Sequence, residues 1–264
     1  MREAVAGLYR GWLSSGHRME DSLAASALFF APHPDDEVLG CGGTIARKVE
    51  AGASVGIVIM TDGRHSHGRL MDGDSMAALR AGEAIRAAAR LGVPAEHVHW
   101  MGFEDRSLAA AGELAIARVR EVLEIARPQA VFLPSEYERP KDHAMTNSLV
   151  RAALKASGTR ATVYEYPVWF WMQWPFAPLY SHGRRRLARL AMSTLRDNVN
   201  LLGRFRYTLD VRRVLKKKAA ALSEYRSQTT RLAGDDWPVL GDVADGAFSR
   251  CFEQEWEVFR RLSS

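Results

Sequence analysis

Seven consecutive residues, Ala31-Pro32-His33-Pro34-Asp35-Asp36-Glu37, hold one imidazole and three carboxylates. His33 and Asp36 stand three apart, and across a tight turn that spacing lets both side chains reach one divalent cation. Adjacent side chains usually point in different directions, so Asp35 is not expected to join Asp36 on the same ion and is left free to act as a general base. A plainer reading exists, because Asp is favoured just ahead of a helix: the carboxylates can be N-caps and His33 a turn residue. Three acids and a histidine exceed what capping requires, and half of a metal site is the expectation.

Such a site needs elements to present it. Ser26-Ala27-Leu28-Phe29-Phe30 is a continuous apolar run suited to a strand buried on both faces. Val38, Leu39, Ile45, Ala46 and Val49 then fall at helical spacing, and Ala51-Gly52 ends the run. A strand that turns directly into a helix exposes the turn at the carboxyl edge of a sheet, where open α/β folds bind ligands. Further strands are expected at 54–60, 97–100, 130–134 and 161–166, and helices at 76–91, 113–126 and from His143 to about Ala156. The fold class is therefore α/β, a Rossmann-like, mostly parallel sheet with flanking helices. Thr61-Asp62, Asp105, His143 and Glu165-Tyr166 all follow strands, so the same topology gathers them on one edge with His33.

The stretch A-P-H-P-D-D-E-V-L-G-C-G-G-T resembles the signature of the PIG-L/LmbE-like deacetylases, zinc-dependent enzymes that remove an acetyl group from N-acetylglucosaminyl compounds. The resemblance implies His33 and Asp36 as metal ligands and Asp35 as the base. It also covers an Arg-x-x-Glu at Arg80 and Glu83, where the Arg is implied to touch the sugar; residues three apart on a helix otherwise read as a surface ion pair of little energetic weight. Asp105 matches an acid that the family places at the site's edge, and is otherwise a turn residue. Where the family carries His-x-Asp-His, this chain reads Pro140-Lys141-Asp142-His143. The kept Asp-His implies His143 as third ligand, with Asp142 as its neighbour or supporting partner. The first His of that motif is implied to stabilise the oxyanion or protonate the leaving amine, and Pro140 can do neither. The metal alone, Lys141, Arg139, Tyr137 or a loop histidine then has to substitute, or activity is weakened or lost. A Lys-x-x-Ala-Leu-x-x-Tyr-x-Ser-Gln pattern of the family returns near Lys218, Tyr225 and Gln228, with one extra Ala; the lysines there otherwise read as a solvated face.

Two His and one Asp leave coordination positions open, which suits a catalytic Zn2+; the same set permits Fe2+. The reaction expected is hydrolytic removal of acetyl from an N-acetylglucosaminyl, or related N-acyl amino-sugar, conjugate by metal-activated water, with Asp35 taking the proton. Two alternatives remain: a metal-bound sugar-conjugate binding protein without chemistry, and an amidase acting on a different amide.

The 264 residues, 47% of them hydrophobic, are enough for one domain over 1–264, with an elaboration at about 167–208. In that elaboration Trp169 to Phe176 packs five aromatics into eight residues, and Arg184-Arg185-Arg186 opens a helix-like stretch with Leu187, Leu190 and Ala191 near one face. Core packing, a subunit interface, a lid over an apolar aglycone and a peripheral membrane contact all fit such a pattern. Two cysteines make no disulfide framework, and a cytoplasmic setting is expected. A net charge of +5 is not extreme; no nucleic-acid partner is expected, and a homo-oligomer is left open. His65 and His67 read as solvated loop residues. Leu8, Trp12 and Leu23 are available to pack the N-terminal lead-in on the body. Phe252, Trp256 and Phe259 mark a closing helix over 248–262.

Overall fold

The computed structural model describes residues 1–178 and 184–263, with the backbone alone for Asp21 and 184–193. Among these residues eight strands, numbered in chain order and bounded below, form one sheet in the order β1-β7-β8-β6-β5-β2-β3-β4. The expected strands are β2 (Ala27–Ala31), β3 (Val55–Thr61), β4 (Val98–Phe103), β5 (Ala130–Pro134) and β6 (Thr162–Tyr166), all paired in parallel. Between them run α2 (Asp36–Glu50), α3 (Gly73–Leu91), α4 (Leu108–Ala126) and α5 (Lys141–Ser157). The chain steps from β2 outward to β3 and β4, then returns to β5 on the other side of β2. The order reverses between β2 and β5, and a crevice opens at such a point.

Each strand of the centre is buried on both faces, as its unbroken apolar run demands. Ala27, Phe29 and Ala31 face a core shared with α2 and α3, whereas Leu28 and Phe30 face one shared with α4 and α5. Glycines let α2 lie close to its neighbours: a Cβ on Gly40 would overlap the Tyr166 ring, and one on Gly43 would meet Val211. Gly112, at φ 37°, breaks the helical run of α4 near its start.

Three strands lie outside the expected five: β1 (His17–Arg18), β7 (Tyr207–Asp210) and β8 (Trp256–Arg261). The last corrects the expectation of a closing helix. Only Ala247–Arg250 is helical there, and β8 runs antiparallel between β6 and β7. Its period-2 pattern is hidden because the buried Glu257 occupies a position that an apolar residue would ordinarily mark. In the lead-in, α1 (Arg2–Ser14) buries Ala6 and Leu13 while Leu8 and Trp12 are exposed. The packing face of α1 thus carries Leu13 and Tyr9, not Leu8 and Trp12.

The aromatic cluster packs the interior. Trp169 stacks on Phe248 at 4.6 Å, Phe170 on Tyr137 at 5.7 Å, and Trp171 meets Phe176 edge-on at 4.8 Å. In α6 (Arg184–Arg204) Leu201 is buried and Leu195 and Val199 are exposed. Residues 179–183, and the side chains of Arg184-Arg185-Arg186, Leu187, Leu190 and Ala191, lie outside the described residues. Among the described residues no helix is long and apolar enough to cross a membrane. Cys41 and Cys251 are free and buried.

Candidate functional site

The β2–α2 turn and the start of α5 meet at the reversal point. Asp36 Oδ2 lies 3.2 Å from His33 Nδ1 and 3.2 Å from His143 Nε2. His33, Asp36 and His143 offer ligand atoms that all lie within 4.8 Å of one another. The turn is not a capping structure: Asp35, the residue ahead of α2, makes no side-chain cap bond and sits at φ 125°. Asp36 Oδ2 instead accepts from the His33 backbone N–H, and Glu37 from that of Asp35. The other carboxyl oxygen of Glu37 accepts from the Tyr225 hydroxyl.

Charge is concentrated where water is scarce. Burial opposes ionisation of Asp36, but His143 and His33 hold its carboxyl well below the usual carboxylate range. Burial pushes the Asp35 carboxyl up to about 7, against the pull of the Arg80 guanidinium. Burial also disfavours a charged His33, yet Asp105, Asp142 and Asp36 raise its pKa well above the ordinary imidazole value. Asp105 is itself resisted by burial and drawn down to about 2 by His33.

The donor set fits a divalent cation. Both ring nitrogens of His143, fully buried, lack a hydrogen-bond partner among the described residues, and Nε2 is aimed at the Asp36 oxygen that also faces His33. Two imidazoles and a carboxylate converging in this way are zinc-type ligands. The opposite nitrogen of His33, Nε2, faces Asp105 Oδ1 at 3.2 Å and Asp142 Oδ2 at 3.5 Å, and His33, Asp105 and Asp142 form a second cation-sized group. Asp142 therefore stands beside His33, whereas the sequence paired it with its neighbour His143.

The residue behind His143 is Glu138, which the sequence reading passed over. Its Oε2 lies 3.6 Å from His143 Nδ1, and its carboxylate accepts from the backbone N–H groups of Val168, Trp169 and Phe170 at 2.6, 2.8 and 3.3 Å. Burial pushes its carboxyl up to about 7, opposed by His143. A carboxylate behind a ligating histidine fixes the ring and raises its basicity. Glu138→Gln is expected to weaken binding of a divalent metal at the cluster by about 10- to 100-fold, read by competition with a chromophoric chelator; unchanged affinity would make Glu138 a purely structural anchor of the 168–170 turn. The signal was present in the loop composition, but an acid five residues before a histidine is too common to single out.

Arg80 and Glu83 are corrected in place and partner. Neither is a surface residue, being 3% and 0% exposed. Arg80 Nη2 pairs with Asp35 Oδ2 at 2.9 Å, while Glu83 accepts from the Ser227 backbone N–H and hydroxyl at 2.7 and 2.6 Å. Of the three lysines there, Lys216 and Lys217 are on a solvated face, but the Lys218 ammonium is buried against Glu257 at 2.7 Å. His67 is buried rather than solvated, stacked on Trp237 at 4.3 Å. His65 bonds Glu104.

A cavity of about 560 Å³ opens on the cluster, with Asp35, Arg80, Asp105, Lys141 and Gln228 in its walls. Pro140 lines it too, at the place of the absent histidine, and Trp169 is the only member of the 169–176 aromatics that does. Tyr137 is elsewhere, stacked on Phe170 with Arg204 and Arg260 over its ring, and Arg139 pairs with Asp197. A larger cleft of about 1110 Å³ lies by the N-terminal ends of β5 and β6, but among the described residues no carboxylate or imidazole side chain lines it.

Residues 28–154 match the family model described as PIG-L: GlcNAc-PI de-N-acetylase. Among curated relatives, the chain is 34% identical over 166 residues to 1D-myo-inositol 2-acetamido-2-deoxy-alpha-D-glucopyranoside deacetylase of Kineococcus radiotolerans, covering 50% of this chain and 45% of that one. It is 32% identical over 137 residues to diacetylchitobiose deacetylase of Thermococcus kodakarensis, covering 50% and 49%. The chain thus spans about half the length of these relatives. In fold it is similar to N,N'-diacetylchitobiose deacetylase from Pyrococcus horikoshii, at TM-score 0.64 and 24% identity over 98% of this chain and 92% of that one. It is also similar to a 4-carboxy-2-hydroxymuconate hydratase from Pseudomonas putida, at TM-score 0.61 and 19% identity over 91% and 97%.

Proposed function

Since residues 28–154 form a PIG-L family domain, we propose that the chain is a metal-dependent hydrolase that removes acetyl from an N-acetylglucosaminyl conjugate. The observation that carries this reading is the convergence of His33, Asp36 and His143 beside the Arg80-held Asp35. A hydratase shares the fold, so the fold alone does not select hydrolysis. What supports it is the family domain together with an acid placed next to, and not within, the ligand set.

His33, Asp36 and His143 would hold the ion. Zn2+ fits their chemistry, and Fe2+ accepts the same ligands. Bound there, the metal would supply Lewis acidity, lowering the pKa of water and polarising an amide carbonyl. Asp35 takes the proton of the attacking water and returns it towards the leaving amine. Arg80 fixes the Asp35 carboxylate, so its part is to aim the base more than to grip the sugar. Asp105 and Asp142 accept from His33 and settle its tautomer. Of the groups considered in place of the missing histidine, Lys141 lines the cavity and Tyr137 and Arg139 do not. Lys141 is assigned the stabilisation of the oxyanion, and Lys141→Ala is expected to lower kcat by about 10²-fold; a rate unchanged by that substitution would remove it from the mechanism.

The test is acetate release from N-acetylglucosaminyl conjugates by zinc-loaded protein, with loss on chelation and recovery on metal return. Tight metal binding with no release from any conjugate would favour a binding protein of the same fold, for which the Pro140 wall is the supporting observation, or an amidase for a different amide.

A further inference from the structure

The cleft of about 1110 Å³ lies at the opposite edge of the sheet from the ligand cluster. The cluster follows the carboxyl end of β2, whereas the cleft opens where β5 and β6, parallel to β2, begin. Its cations come from three separate parts of the chain: Arg151 and Lys155 from the second half of α5, Arg160 from the connection to β6, and Arg261 from the end of β8. All four are exposed. Lys155, Arg160 and Arg261 make no ion pair among the described residues. Arg151 Nη1 lies 3.6 Å from Glu136 Oε2, a long contact to a carboxylate that Arg260 already engages. An adjoining hollow of about 360 Å³ shares Thr159 and Arg160 with the cleft and adds Arg127; its carboxylate, Glu124, pairs with Arg120 at 3.3 Å.

A cation in the last turn of a helix is favoured by the helix dipole, which accounts for Lys155. It does not account for Arg261, which arrives on a strand from another part of the chain. Like charges gathered on one concave surface hold a positive potential that the low-dielectric walls focus, and guanidinium forks match phosphate oxygens. Four cations exceed what one phosphate group needs. A single-stranded nucleic acid is a poorer fit, because it calls for free aromatic faces along a groove. Tyr207 is the one aromatic side chain in these walls, and its ring already packs with His17 at 5.3 Å and Tyr164 at 6.0 Å. We infer that the cleft is a second binding site, which takes a small molecule carrying two or more phosphate groups against Arg151, Lys155, Arg160 and Arg261. Its concave shape and size suit such a ligand. The assignment is independent of the deacetylase reading, because none of its residues belongs to the ligand cluster or its cavity.

The experiment titrates the zinc-loaded protein, freed of excess metal, with inorganic phosphate, pyrophosphate and ADP by calorimetry at low salt. Pyrophosphate or ADP is expected to bind at one site about tenfold tighter than inorganic phosphate. Tighter binding of ADP identifies a nucleotide, and equal affinities identify the bare diphosphate; either supports the assignment. The affinity should fall about tenfold in Arg160→Gln and in Arg261→Gln, and also as salt is raised. Both side chains are exposed, so the fold should be kept, as thermal melting will check. Arg90→Gln removes one cation from α3, away from the cleft, and should leave the affinity unchanged. Equal affinity for phosphate and pyrophosphate, or an affinity untouched by Arg160→Gln and Arg261→Gln, overturns the proposal. So does a loss seen in His143→Ala instead, which places the anion at the ligand cluster. Binding of a single-stranded oligonucleotide with none of either diphosphate overturns it in favour of a nucleic-acid surface.

Discussion

Asp35→Asn is expected to lower kcat for acetate release by about 10²- to 10⁴-fold, the usual range for loss of a general base. Asn keeps the size of the side chain and an oxygen for Arg80, which donates to Asp35 Oδ2 at 2.9 Å. What it cannot do is accept a proton. The native carboxyl is suited to that task, since burial pushes it up to about 7, and a base works best with a pKa near the operating pH. The effect should appear in kcat with little change in KM, because in the proposed mechanism Asp35 acts on water and not on the sugar. Zinc affinity, measured in parallel, should stay close to wild type because Asp35 is outside the ligand set. A variant that turns over within a few-fold of wild type would move the base to another group.

Glu257→Ala is expected to cost about 3–5 kcal/mol of stability, the size associated with removing one partner of a buried ion pair. Glu257 and Lys218 are 5% and 4% exposed. One carboxylate oxygen accepts from Gly43 N–H at 2.8 Å and from Lys218 Nζ at 2.7 Å; the other accepts from Thr44 N–H at 2.7 Å and Thr44 Oγ1 at 2.6 Å. Lys218 Nζ also donates to the Leu39 carbonyl at 2.9 Å. The cluster ties β8 and α7 (Leu215–Glu224) to the first half of α2, the helix that begins at Asp36. Alanine leaves an ammonium and two backbone donors buried without this acceptor. Glu257→Gln, which keeps an oxygen for the amides, should cost less, and pairing Glu257→Ala with Lys218→Met should recover part of the loss. Urea unfolding at constant m-value reads all three. A loss below about 1 kcal/mol would mean that water reaches the site and solvates the lysine.

Short-range pattern made much of this protein legible. An apolar run running straight into a Gly-rich helix located β2, α2 and the turn between them, and the short apolar runs and period-3.6 segments that follow gave the remaining parallel strands and their helices. Elements of this kind are set by residues close together in the chain, so their signal survives in one dimension. The same topology put His33, Asp36 and His143 on one edge of the sheet along with several other polar residues, and it was the resemblance to the LmbE-like motifs that singled these three out as a ligand set.

Partner choice among charged side chains was decided only by the tertiary structure. Arg80 and Glu83 look like a surface pair on one helix, yet each finds a partner from elsewhere in the chain, Asp35 for one and Ser227 for the other. Glu257 hid a strand because a buried carboxylate breaks the alternation that marks one, and its satisfaction depends on α2 and α7. Glu138 stands beside His143 with its carboxylate held by the backbone N–H groups of the 168–170 turn, some thirty residues on. The sequence by itself determined which edge of the sheet its candidate residues share, a consequence of local period and parallel connection, and its motifs named most of those candidates through the family resemblance they carry. Which acid faces which base, and whether a charge is buried or solvated, was decided by contacts between segments far apart in the chain, where the low dielectric of the interior makes each pairing matter and no local pattern records it.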